Sequence, residues 1–265
     1  MGMTSRPRFL PLALLLASFT SWTSSTLAQT SPASAPALPP LSELLARLDA
    51  LHARRDEPAT RVEAHQTANT TLGLAPADYG ALWRVARELF DESDATNLSD
   101  DERSRLGQKG YDLTQRAIAA NPNDAAAQYW AALCIGRYAE KMGVVSAIAK
   151  GIEGKFKRPL ERATALDVSY DHGNVPVVWA AYYLELPWPK RDRDKAAEEL
   201  RRALAINPAN LRARLYQARI AADQDHPDVA RALLATIAAA PVGRYDAPEE
   251  RAVKKDAAAM AAKLR

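Results

Sequence analysis

A single cysteine, Cys134, stands in the whole chain, so no intramolecular disulfide can staple the fold. Set inside the run YWAALCIG, that thiol is expected to be a buried, small apolar side chain. Glycine is scarce at 11 of 265 residues, alanine is abundant and neither charge sign dominates, which favours helices over a sandwich or barrel. The 35 Lys and Arg face 32 Asp and Glu; setting aside Arg6 and Arg8 takes 35 to 33 and leaves a net charge of +1. So even a balance gives no electrostatic footprint for nucleic acid.

Catalytic signatures are missing as well. There is no G-x-S-x-G nucleophile turn and no HExxH pair, and His52, His65, His172 and His226 are scattered without metal-ligand spacing. Lys150-Gly151-x-x-Gly154-Lys155 is too short for a phosphate loop. Glu88, Asp91 and Glu92 are neighbours on or after an exposed helix, and nothing marks two of them as an acid and base pair. The reading is a non-enzymatic protein with no cofactor and no metal.

What is present begins with an address. Met1 to Ala28 reads as a secretory signal peptide: Arg6 and Arg8 form a basic start, Phe9 to Ala17 an apolar stretch, and Thr26-Leu27-Ala28 the small residues before a cut. The apolar run falls short of the roughly 20 residues that span a bilayer. With no cysteine near the cut for a lipid anchor, the expected location is periplasmic or secreted, after cleavage near Ala28, with no stable membrane insertion. Residues 29–40, QTSPASAPALPP, read as a Pro/Ala/Ser linker.

From Leu41 the pattern turns helical, with Leu41, Leu44, Leu45, Leu48 and Leu51 along one face. Further on, Ala196, Leu200 and Ala203 fall at i, i+4 and i+7, and Pro208 ends the helix because proline cannot extend it. That spacing is the second helix of a tetratricopeptide hairpin, whose period is about 34 residues. Sliding it along the chain yields Ala64-Ala68-Thr71-Pro76, Gly110-Thr114-Ala117-Pro122, Phe156-Leu160-Ala163 before Val168, and Ala230-Leu234-Ile237. Only the last interval, Pro208 to Val242, is 34; the earlier ones are 46, 46 and 40, so the units carry insertions. These are placed at Asp91–Glu102, at the apolar Gly143–Gly154 and at the Leu186-Pro187-Trp188-Pro189 corner. Val253, Ala257, Met260 and Leu264 share one face of a final helix, the cap that a solenoid needs. The fold class expected is all-α: a tetratricopeptide-like superhelix of about five helical hairpins over 41–246, with a C-terminal capping helix over 247–265.

The string Leu82-Trp83-Arg84-Val85-Ala86-Arg87, the helix end Asn121-Pro122, Tyr129-Trp130 with Gly136, and Leu186-Pro187-Trp188-Pro189 carry a resemblance over roughly 41–241. The chain resembles the T component of TRAP transporters and, more distantly, the regulator-of-microtubule-dynamics group. The first resemblance implies a symmetric homo-oligomer, a solute-binding subunit as partner in the cell envelope, and a groove or pore for a small apolar or anionic ligand. From the residues alone, the first-helix register turns Trp83, Arg87 and Phe90 toward the concave side. Trp83, Tyr129, Trp130, Tyr183 and Trp188 are the candidate groove lining, with Tyr182 and Trp179 beside them, since aromatics give large contact area. Arg84, Arg87 and Arg137 are the candidates to hold a carboxylate. Against the first assignment stands simple gap-filling between helices, and against the second an internally paired face. The function read is binding of a protein segment or small ligand in a concave groove, as an accessory of a TRAP-type uptake system. The alternative is a pure scaffold for an envelope complex with no small-molecule site.

Overall fold

A computed structural model describes residues 38–95, 97–187 and 189–264. The leader read at 1–28, most of the 29–40 linker and Trp188 lie outside the described residues. Among these there are twelve α-helices and no strand. The helices are α1 (Leu41–His52), α2 (Pro58–Leu74), α3 (Tyr79–Ser93), α4 (Asp100–Ala120), α5 (Ala125–Glu140) and α6 (Val144–Ala149). They continue as α7 (Ile152–Leu166), α8 (Tyr170–Glu185), α9 (Arg193–Ile206), α10 (Leu211–Asp223), α11 (Pro227–Ala239) and α12 (Ala247–Lys263).

Local chemistry sets where the helices begin. Asp78, Asp124, Asp192, Asn210 and Asp246 each accept a hydrogen bond from a backbone N–H in the first turn of α3, α5, α9, α10 and α12. Ser99 and Glu102 form a reciprocal capping box at the start of α4. The helices then pair as α1/α2, α3/α4, α5/α7, α8/α9 and α10/α11, and α12 closes the end. This is the tetratricopeptide-like superhelix of five hairpins with a capping helix. The repeat register holds through every unit: Thr71, Ala117, Ala163, Ala203 and Ile237, at the same position of successive second helices, all have no exposed surface.

The insertions lie where the spacing placed them. The stretch from Gly143 folds back as the short α6 and the start of α7, burying Ala147 of α6 and Ile152 of α7 against Ile135 of α5. Pro189 and Lys190 form a turn between α8 and α9. The cap packs Val253, Ala257, Met260 and Leu264 on Leu211, Ala218, Leu234 and Ile237. One feature of the cap is absent from the hydrophobic pattern. Glu250 is fully buried, and its carboxylate accepts from the backbone N–H groups of Gly243, Arg244 and Tyr245, so the loop before α12 is folded around a charge.

The tightest packing is α4 on α5. A methyl group on Gly107 would sit 2.6 Å from the backbone nitrogen of Tyr138 and 2.8 Å from the carbonyl oxygen of Cys134. Gly107→Ala is therefore expected to destabilise the protein by about 1–3 kcal/mol despite alanine's better helix propensity. Gly73, in α2, meets nothing within 4 Å, and Gly73→Ala is expected to stabilise by about 0.5–1 kcal/mol. Denaturant titration of the two variants checks the contrast, and equal behaviour would contradict it.

Candidate functional site

The turn between α1 and α2 meets the start of α12. Arg55 donates to Asp246 at 2.7 Å and lies 3.8 Å from Asp91, while Arg251 donates to both carboxylate oxygens of Asp56 at 2.5 and 3.0 Å. These pairs are 191 and 195 residues apart in the chain, so the superhelix closes on itself. Beside this contact lies an open-sided cavity of about 810 Å³. One wall is aromatic and aliphatic: Phe90, Tyr129, Trp130, Phe156, Val177, Val178 and Tyr182, with Val144, Ala147 and Ile148 of α6. The rest of the lining includes eight carboxylates (Asp91, Asp94, Glu140, Glu153, Asp171, Glu185, Asp246 and Glu249) against Arg55, Arg137, Arg212 and His52.

Helix α8 contributes through an unusual start. Asp171 (φ 52°, ψ 52°), His172 (φ 58°, ψ 29°) and Gly173 (φ 81°, ψ 22°) are left-handed, and the regular helix follows them. Pro176 therefore falls in the first regular turn, where no intrahelical N–H is required. The left-handed turn is held by Asn207, whose side-chain amide donates to the His172 carbonyl at 3.1 Å. The fully buried Asn210 donates to Asn174 at 2.9 Å. Its product is the position of Asp171, whose carboxylate accepts from the Tyr129 hydroxyl at 2.8 Å and from Asn174 at 3.1 Å.

The sequence candidates divide. Tyr129 and Trp130 line the cavity, and the Trp130 indole N–H donates to the Tyr170 hydroxyl at 3.2 Å. Arg137 lines it too, but its guanidinium is paired with Asp94 and Glu140 and covers the Phe90 ring at 4.9 Å. Trp83, Arg84, Arg87 and Tyr183 do not line it. Arg84 donates to both oxygens of Asp49 at 2.9 and 3.0 Å, and Arg87 pairs with Asp49 at 3.0 Å and donates to the Leu48 carbonyl at 3.1 Å. Both stitch α3 to α1, and Trp83 lies beneath their guanidinium groups at 4.2 and 5.3 Å. The concave stripe of α3 is thus covered by α1 at its N-terminal end and opens only at Phe90, Asp91 and Asp94. Tyr183 stacks on Trp179 instead, while Tyr182, one residue earlier, faces the cavity and donates to Glu153 at 2.6 Å. Sequence reasoning missed His52, Arg55, Asp171, Arg212, Asp246 and Glu249. Only the capping role of Asp246 had a local signal, and no local pattern brings α1 to α12.

The floor of the cavity is ionic. His52 Nδ1 lies 2.5 Å from an Asp91 carboxyl oxygen, and Glu88 brings a third ligand-type atom, all within 4.8 Å of one another. The donor types suit a transition metal. However, Arg55 already lies against Asp91 and Arg87 against Glu88, so guanidinium groups stand beside both carboxyls. Burial, with Arg87 and Arg55, holds His52 well below its ordinary value, and burial raises Asp91. Glu88, 7% exposed, is pushed up to about 8 by burial and then by the neighbouring Asp91 charge.

The folded chain therefore holds a proton on Glu88 that the unfolded chain releases near pH 4.5. Its stabilising contribution is complete below that value and is lost as pH rises toward 8. Between pH 7 and 8, stability is expected to fall by up to about 1.4 kcal/mol for this one proton. Glu88→Gln should flatten that limb in denaturant titrations across the range. An unchanged slope would remove Glu88 as its source.

Comparison with known proteins places this geometry among relatives. The family model described as "Regulator of microtubule dynamics protein 1-3" matches residues 44–173, from α1 to the left-handed turn of α8. Regulator of microtubule dynamics protein 1 of Bos taurus is 28% identical over 116 residues, 43% of this chain and 36% of that protein. The Mus musculus protein of the same name is 28% identical over 112 residues, 42% of this chain and 36% of that protein. The chain thus spans about a third of the length of the curated relatives it matches. TTC0263, a thermophilic TPR protein of Thermus thermophilus, superposes with a TM-score of 0.60 at 17% identity, covering 85% of this chain and 98% of that one. That likeness shows the fold.

Two expectations change. The similarity supports the regulator-of-microtubule-dynamics group rather than the TRAP T component. The matched relatives are regulators of microtubule dynamics from Bos taurus and Mus musculus and do not support the periplasmic or secreted address or an envelope partner, so that expectation is corrected.

Proposed function

We propose that this chain is a non-enzymatic binding protein whose closed superhelix takes a segment of a partner protein into its cavity. The observation that carries this reading is the cavity itself. At about 810 Å³, with an aromatic and aliphatic wall beside a carboxylate-rich lining, it has the size and composition of a binding pocket. Tetratricopeptide-like hairpins present such concave surfaces generally. The printed name of the relatives favours a partner from the microtubule system.

The paired state of Arg84, Arg87 and Arg137 argues against an anionic ligand, since each guanidinium already has carboxylates of its own. The chemistry of the floor is structural too. His52 is bound to Asp91, Asp91 lies against Arg55 and Glu88 against Arg87, so each group is engaged within the protein.

Selection from a random heptapeptide display library on the purified protein tests the proposal. Wild-type protein is expected to enrich peptides, and Ala181→Trp, which fills the cavity from α8, to weaken the selected peptides about tenfold or more while melting normally. Peptides that bind the filled variant equally well would put the binding surface elsewhere.

A further inference from the structure

Seven of the eight carboxylates in the cavity lining have a cationic side chain within ion-pair reach. Asp171 is the exception among the described residues. Its hydrogen-bond partners, the Tyr129 hydroxyl and the Asn174 amide, are both neutral, so its charge is solvated but not balanced. It is also held in place at a cost. A left-handed backbone disfavours an L-residue by roughly 1–2 kcal/mol, and here two non-glycine residues in succession adopt it. Asn207, bonded to the His172 carbonyl, keeps them there.

The walls around this carboxylate are aromatic. Tyr129 and Trp130 meet edge to face at 5.3 Å, and Phe90 and Trp130 at 5.7 Å. A balancing charge that also prefers aromatic surface is an alkylammonium or alkylguanidinium. Its cation pairs with the carboxylate, its apolar stem lies along the rings, and its charge is drawn to their faces. An anion would meet the opposite field.

We infer that Asp171, with Tyr129, Trp130 and Phe90, anchors a lysine or arginine side chain of the bound segment. This rests on the reading of the cavity as the binding site. It gives the charged anchor to a strained acid outside the sequence candidates, with the opposite sign to the carboxylate-holding arginines expected from sequence.

The test uses the full chain and small probes in place of a segment. The indole N–H signal of Trp130, assigned through Trp130→Phe, is followed by NMR during titration with n-butylguanidinium, n-butanol and sodium butyrate at matched ionic strength. A saturable shift with the cation alone is expected, weakened about tenfold or more in Asp171→Asn, the loss of one charge-assisted contact. Asparagine tolerates the left-handed backbone and keeps an oxygen for the Tyr129 hydroxyl, so that variant retains the local structure. Equal shifts with butanol or butyrate, or no cation response, would overturn the inference in wild-type protein without any variant. So would unchanged cation affinity in Asp171→Asn.

The two readings fail separately. Selected peptides that bind in the cavity with no preference for Lys or Arg overturn the anchor and keep the segment. A cation response without any selected peptide keeps the anchor and removes the segment.

Discussion

The Arg55 guanidinium is the tie on which the cavity depends. It lies between Asp91 of α3 and Asp246 at the start of α12, and each of the three side chains is only 12–20% exposed. Charges so far from water are expensive to bury and are tolerated when geometry and hydrogen bonding compensate, so the three groups are useful only together. An open solenoid binds each repeat to its neighbours and leaves its two ends apart. Here the ends meet through Arg55–Asp246 and Arg251–Asp56, and the cavity lies beside that contact. The same contact sets the ionic character of the floor, because Arg55 and Asp246 both bear on the state of His52.

Departures from the 34-residue period are concentrated where the cavity is. The extra residues of the third unit become α6, whose Val144, Ala147 and Ile148 form part of the wall. The left-handed turn at the entry to α8 breaks the helix rule for three residues and aims Asp171 inward. Regular repeats would give the plain groove that many such solenoids have. Irregularity supplies part of the cavity wall and its unbalanced charge, as expected if local rules are broken at sites under functional constraint.

The scaffold was legible because it follows short-range arithmetic. Ala196-Leu200-Ala203 repeats at i, i+4 and i+7, and that spacing alone located the fully buried positions of five second helices. The fold-back of Gly143–Gly154 was legible for a similar reason, since its apolar residues had to cover something. The site was legible only in part. Tyr129 and Trp130 were found because large aromatics on a first helix have few alternatives to packing or lining. Trp83, Arg84 and Arg87 were misplaced because a helical face says which side is concave, not how far a neighbouring helix covers it; Asp49 and Leu48 of α1 do so here. Asp246, Glu249 and Arg212 could not be reached at all. They stand far along the chain from α1, and the contact of Asp246 with Arg55, 191 residues away, is set by how the successive repeats stack, which no window of sequence contains.

The division between matched and unmatched sequence bears on what is shared. Residues 44–173 carry α1, the cavity face of α3, the aromatic wall of α5 and Asp171 itself. Residues beyond them carry Arg212, Asp246 and Glu249, which complete the lining, and Asn207, which steadies the left-handed turn. The recognition chemistry proposed here therefore lies within the stretch that resembles the microtubule-dynamics regulators, while the closing contact beside it comes from the remainder. Residues contacting a bound segment constrain one another through that segment, whereas a closing surface has only to meet α1 with the right charge. Arg55 satisfies both halves, since its partners Asp91 and Asp246 lie on opposite sides of the boundary.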